Sequence, residues 1–151
     1  MAATKVLAEN KKALFNYQVL EKLQAGLVLK GQEVKSIRQG RMNLRASFVV
    51  VKEGEIFLLG ASIPPYQPNN LREEYNPQRT RKILLKKKEI RHLLGFAAQK
   101  GLTMVPLSVY NDEHNKIKLE FAVVKGKREI DKREVIKRRE ADREIQRVLK
   151  H

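Results

Sequence analysis

The stretch FNYQVLEKLQAGLVL, residues 15–29, decides the fold. Its odd positions carry Phe15, Tyr17, Val19, Leu23, Ala25, Leu27 and Leu29, and only the charged Glu21 interrupts the series. A period of two over that length is the mark of a long strand with one buried face. Gly26, inside the run, predicts a bulge or bend that lets the strand curl, as small barrels require.

Working outward, Gly31 and Gly40 bracket a segment in which Val34 and Ile37 are three apart. This predicts a two-turn helix with Lys35 and Arg38 on its open face. Residues 47–52 and 55–61 are apolar runs separated by Glu53-Gly54, the spacing of a tight hairpin. Between 63 and 77 lie Pro64, Pro65, Pro68 and Pro77 with Asn69, Asn70 and Asn76, a long loop of the kind that often carries function. Asn76-Pro77 is expected to start a helix that runs on through Ile90, Leu93, Leu94 and Ala97 to Gly101. Residues 103–110 and 116–124 form a second hairpin, with Pro106 marking an edge or a bulge. The expected class is mainly β with short helices (α+β): an antiparallel barrel of about six strands and two to three helices over residues 1–124.

The 151 residues leave room for one domain plus an extension. Thirty-two Lys and Arg against 17 Asp and Glu give a net charge of +15. Such a surplus costs stability through self-repulsion, so it points to a polyanionic partner more than to solubility alone. There is no cysteine, which excludes disulfides, thiolate metal sites and cysteine nucleophiles. No secretory apolar segment opens the chain, and no apolar run approaches the roughly 18 residues that span a bilayer. A cytoplasmic, monomeric protein without membrane partner or cofactor is expected.

From residue 125 to 151 the composition changes: eleven Lys or Arg, six Asp or Glu, no aromatic residue. This stretch builds no core of its own, yet it is rich in helix formers, and Ala141, Ile145, Val148 and Leu149 fall on one helical stripe. It is expected to be a tail that is frayed alone and helical on a surface, the alternative being a helix packed on the barrel.

Catalysis finds little support. His92, His114 and His151 lack metal-ligand spacing, and Asp112, Asp131 and Asp142 do not assemble a two-metal cluster. Gly26 and Gly31 have the outer spacing of a phosphate loop, but Gln32 stands where its Lys belongs. Basic residues are abundant instead. Arg79, Arg81 and Lys82, then Lys86, Lys87 and Lys88, crowd the start of the long helix, while Lys116 and Lys118 with Lys35, Arg38 and Arg41 extend the surface. Contacts from such residues to phosphates give salt-dependent, sequence-blind affinity. A basic barrel with exposed loops is the general form of an oligonucleotide-binding (OB) fold. No major-groove reading motif is present, so RNA is favoured over DNA.

Three motifs, QAGLVLKGQEVKSIR (24–38), RTRKILL (79–85) and GKREIDKR (126–133), together resemble the small protein B family, which binds SsrA, the transfer-messenger RNA (tmRNA). The resemblance runs from about Asn10 nearly to the C-terminus. It implies an OB-like barrel that grips the tRNA-like domain of tmRNA in trans-translation, and a tail that enters the empty mRNA channel beyond the decoding centre of a stalled ribosome. RNA-facing positions carried over are Gln24, Leu84 and Lys116, with Glu33, Lys35, Asn43, Arg79 and Arg81 in the adjoining motifs, and Lys82 and Lys118 beside them. Read from the residues alone, Leu84 is a core leucine. In the tail the carried-over positions are Lys127, Asp131, Lys132, Arg133, Ile136, Lys137 and Arg139. Gln24 stands where the family usually has Glu, and an amide both donates and accepts where a carboxylate only accepts. Ile130 precedes the Asp-Lys-Arg triplet where relatives carry His or an aromatic residue. The rival reading is a ribosomal or ribosome-assembly protein that binds rRNA.

Overall fold

The structure, a computed structural model, describes residues 5–66 and 75–126 together with Ala141, Arg143, Glu144, Ile145 and Arg147. In chain order the elements are β1 (Lys5–Glu9), α1 (Lys11–Asn16), β2 (Tyr17–Leu27), α2 (Gly31–Arg38), β3 (Phe48–Lys52), β4 (Glu55–Leu59), β5 (Arg81–Leu84), α3 (Lys87–Ala97), β6 (Leu102–Asn111) and β7 (Ile117–Gly126). Strand pairing runs β6-β3-β4-β5-β2-β7, and β7 returns to β6. The result is a closed antiparallel ring of six strands, with β1 laid along the far half of β6. The seam of the ring is β3 on β6, where Val49 faces Met104.

The expected hairpins form. Phe48 faces Leu59 and Lys52 faces Glu55 across a turn in which Glu53 and Gly54 both have positive φ, 52° and 76°, as a two-residue hairpin turn demands. The continuous apolar character of β3 and β4 follows from burial on both faces. Val49, Ile56 and Leu58 point into the barrel, whereas Phe48, Val50, Phe57 and Leu59 join a second cluster on its outside.

The long period-two run of β2 is more subtle than its sequence. Val19 pairs with Val124 but Glu21 with Val123, so a bulge falls at Leu20. One extra residue moves every following side chain to the other face. Tyr17 and Val19 therefore serve the outer cluster, while Leu23 and Ala25, of the same parity, fill the interior. The same device recurs in β6, where the register slips between Pro106 and Ser108: Val105 and Leu107 face outward, Val109 inward. The bulge anticipated near Pro106 is thus present. Of the bulge or bend anticipated at Gly26, the bulge is absent, since Gly26 stays in register with Leu84 on one side and Lys118 on the other.

Two further expectations are corrected. Phe15 does not begin the strand. It lies on α1 and is 78% exposed, because α1 turns Ala13 into the outer cluster instead, with Asn10 held by Leu107 and Pro106 carbonyls. Asn76-Pro77 does not start the long helix either. The Asn76 side chain accepts from the Gln78 N–H in a tight turn, and β5 follows. Helix α3 begins only after Lys86, whose N–H is capped by Glu89. The basic residues Arg79, Arg81 and Lys82 accordingly belong to a turn and a strand.

The described C-terminal residues are helical, and Ala141 and Ile145 are buried in the outer cluster. Lys127, Asp131, Lys132, Arg133, Ile136, Lys137 and Arg139 lie outside the described residues.

Candidate nucleic-acid interface

On β5 the alternation of Arg81 and Ile83 inward sets Lys82 and Leu84 outward. Leu84 is 50% exposed, which overturns the core reading of this leucine. It sits beside Gly26: a methyl group added at Gly26 would lie 3.4 Å from the Leu84 Cβ, so the glycine makes the seat on which this side chain rests. On the opposite side of Gly26 stands Lys118, and Gln24 faces Glu120 one step along the same pair of strands. Gln24, Leu84 and Lys118 are thereby brought together on the outer surface of β2, β5 and β7.

Lys116, two residues before Lys118, carries this surface to the β6–β7 turn. The Asp112 carboxylate shapes that turn by accepting from the N–H groups of His114 and Lys116, both at 2.9 Å. These bonds, first that from Lys116, lower the Asp112 pKa. Arg38 of α2 donates to the Asn115 carbonyl at 2.9 Å, which sets the open face of α2 next to Lys116. On that face Lys35 lies over the Tyr66 ring, 5.5 Å from its centre.

On the other flank β2 and α3 enclose a cleft of about 690 Å³ lined by Lys22, Gln24, Lys86, Lys88, Glu21, Glu89 and His92. Its carboxylates are already engaged. Glu21 lies 2.8 Å from His92 Nε2, and Glu89 caps α3. Lys22, Lys86 and Lys88 give this cleft a basic rim.

Glu33 and Arg81 have a different place from the one their motifs imply. Both side chains are 0% exposed, and Arg81 donates to Glu33 from Nη2 at 2.6 Å and from Nε at 3.0 Å. Glu33 also accepts from Arg79 Nη2 at 2.5 Å and from the Lys30 N–H at 2.8 Å; the Tyr75 hydroxyl stands 2.9 Å from it. Burial alone raises the Glu33 pKa, but the hydrogen bonds from Arg79, Lys30 and Arg81 and the Arg81 charge outweigh it and hold the carboxyl at about 2. For Tyr75, burial first and then Glu33 push the phenol upward.

The same Arg81 reaches the Ala61 and Pro77 carbonyls, at 2.8 and 3.0 Å, and Ser36 donates to the Pro64 carbonyl at 2.7 Å. The cluster thus ties α2, β5 and both ends of the proline-rich loop together beneath the surface. Glu33, Ser36 and Arg81 at its centre are buried, whereas Tyr75 and Arg79 are partly exposed, Arg79 to 27%. Tyr75 was not singled out by sequence, and no spacing marks it. Burial of Glu33 was legible in retrospect, since it shares a helical face with Ser36 and Ile37.

The remaining positions are peripheral. Lys82 pairs with Glu55 at 3.0 Å with both side chains nearly half exposed, an ion pair of little energetic weight. Asn43 is spent on its turn, its Oδ1 accepting from the Arg45 N–H. Among the described residues no group of three His, Asp or Glu is placed to hold a metal ion, and no helix is long and apolar enough to cross a membrane.

Comparison with known proteins shows the family. The family model described as SmpB protein matches residues 7–151. An SsrA-binding protein of Geobacillus kaustophilus is 49% identical over 97% of this chain and 93% of its own length. One of Wolinella succinogenes is 48% identical over 98% of both chains, and one of Coxiella burnetii 51% identical over 98% of this chain and 92% of its own. Among solved structures, a chain from work described as "tmRNA-SmpB: a journey to the center of the bacterial ribosome" superposes with a TM-score of 0.65 at 41% identity, covering 85% of this chain and 92% of that one. A closed basic barrel, with an exposed leucine and lysines on one face and a family match from residue 7 to the last, admits one assignment: this chain belongs to the SmpB family.

Proposed function

We infer that this chain is an SsrA-binding protein, a non-catalytic RNA-binding protein that binds tmRNA and acts with it on the ribosome in trans-translation. The observation that carries the reading is the convergence of Gln24, half-exposed Leu84 and Lys118 around Gly26, in a chain about half identical to proteins named for SsrA binding.

In this reading the surface takes the tRNA-like domain of tmRNA. Leu84 offers an apolar platform to an unstacked base. Lys116 and Lys118, with Lys35, Arg38 and the lysines of the α3 cleft, take backbone phosphates. Gln24 supplies an amide able to donate and accept toward a base or ribose. Glu33 and Arg81 contribute by fixing α2 and β5, and Arg79 adds a partly exposed guanidinium at the edge. The charged tail beyond residue 126, with Lys127, Asp131, Lys132, Arg133, Ile136, Lys137 and Arg139, is the part that occupies the vacant mRNA channel. The site of action is the cytoplasm.

Sequencing the RNA recovered with the full chain from cells tests this. tmRNA is expected to dominate over rRNA and tRNA, and binding of purified tmRNA to exceed that of a duplex DNA of equal length. Recovery of rRNA alone, or equal affinity for the DNA, refutes the reading.

A further inference from the structure

Past the end of β2 the chain stays extended, and the Val28 N–H donates to the Lys82 carbonyl at 3.0 Å. Leu27 and Leu29 on either side pack against the inner cluster, so Val28 is turned outward, where it is 43% exposed. It shares that outer surface with half-exposed Leu84. A lone exposed valine calls for no explanation, but this one stands among cations. Arg79 donates to its carbonyl from Nη2 at 3.4 Å, Lys82 is its neighbour on β5, and Lys118 faces Gly26 two residues before it. An apolar side chain surrounded by cations suits a ligand with a phosphate on one side and a flat ring on the other, which is the chemistry of a nucleotide.

The sheet fixes the distance between the two apolar contacts. Leu84 lies directly opposite Gly26, so Val28 is its diagonal neighbour, roughly 7–8 Å away. Bases stacked in one strand follow each other at roughly 3.4 Å, about half of that. Successive bases that reach both side chains are therefore unstacked. We propose that Val28 is a second apolar contact of the RNA face, and that Leu84 and Val28 together select two successive unpaired nucleotides whose bases are splayed apart. This rests on the function inferred above and names the conformation of RNA that the site takes. A duplex, or a loop that keeps its stack, meets only one of the two contacts.

The test is binding of the full chain to the tRNA-like domain of tmRNA, intact and with single abasic sites placed in turn through its unpaired nucleotides. Val28→Ala is expected to weaken binding of the intact RNA about threefold, by the same factor at low and high salt, because an apolar contact releases no counterion. Its thermal midpoint should stay close to the parent's. Phe15→Ala truncates an apolar side chain that is 78% exposed on α1, away from this face, and is expected to leave the affinity unchanged. In the abasic series, one position should weaken the parent but not Val28→Ala, and the adjoining position should weaken the parent but not Leu84→Ala. Parent-like affinity in Val28→Ala, a loss that changes with salt, or an equal loss in Phe15→Ala overturns the proposal. So does an abasic series in which both variants answer to one position, or to positions that do not adjoin. All of these leave RNA binding by the parent, and so the functional reading, intact. A parent that fails to bind the tRNA-like domain is the distinct result that refutes the function, and the proposal falls with it.

Discussion

Glu33→Gln is expected to cost about 3 kcal/mol of folding stability at pH 7 and under about 1 kcal/mol at pH 2.5. The substitution keeps the shape of the side chain and removes the charge, so it mimics the protonated carboxyl. In the folded protein that carboxyl is held at about 2 against an ordinary 4.5. Because its folded value is depressed, its contribution is complete above pH 4.5 and disappears as the pH falls through 2. Solvent screening reduces it little, since Glu33 and Arg81 are buried and only Arg79, 27% exposed, reaches water. With a urea slope of about 2 kcal/mol per molar, the midpoint at pH 7 should fall by about 1.5 M. Urea titrations of parent and variant followed by circular dichroism between pH 7 and pH 2.5 make the measurement. Two curves that keep a constant separation over that range would show that Glu33 is not ionised and paired in the fold, and would refute the account of how α2, β5 and the loop are tied.

Three other outcomes follow from the same geometry. Burying the exposed half of a leucine is worth about 1 kcal/mol, so Leu84→Ala should weaken tmRNA binding about fivefold with little change in thermal midpoint; unaltered affinity would remove Leu84 from the interface. Lys116→Ala combined with Lys118→Ala should lower the slope of log affinity against log salt by about 1.5, whereas an unchanged slope would mean that neither lysine meets a phosphate. Gly60 has φ +80° and a Cβ there would stand 3.0 Å from the Ala46 carbonyl oxygen, while Gly40, at φ +75°, has open space around it. Gly60→Ala should therefore unfold at a lower temperature than Gly40→Ala, which carries only the backbone cost of roughly 1–2 kcal/mol; equal midpoints would contradict the close approach.

Much of this protein was legible in its residues. Alternation in 15–29, the Glu53-Gly54 turn between two apolar runs, the Val34–Ile37 spacing and the second hairpin gave the antiparallel barrel, its hairpins and α2. The family motifs marked the basic face, and the charge pointed to a polyanion. These signals are local: period, turn chemistry and composition act through neighbours in the chain.

What only the tertiary structure decided is which side of each strand meets which environment. The bulge at Leu20 sends one odd-numbered stripe to two different clusters, and no period reveals it, because it exists only relative to β7. Leu84 is exposed and Arg81 buried, an inversion of ordinary preference that holds because a carboxylate 48 residues earlier waits inside the fold for the guanidinium. Asn76-Pro77 has the local form of a helix start, yet the open edge of β4 takes the chain that follows it as β5. The apolar outer face of β3 and β4 is covered by residues from both ends of the described chain. Partners so far apart in sequence leave no local trace, and only the closed barrel brings them within reach of one another.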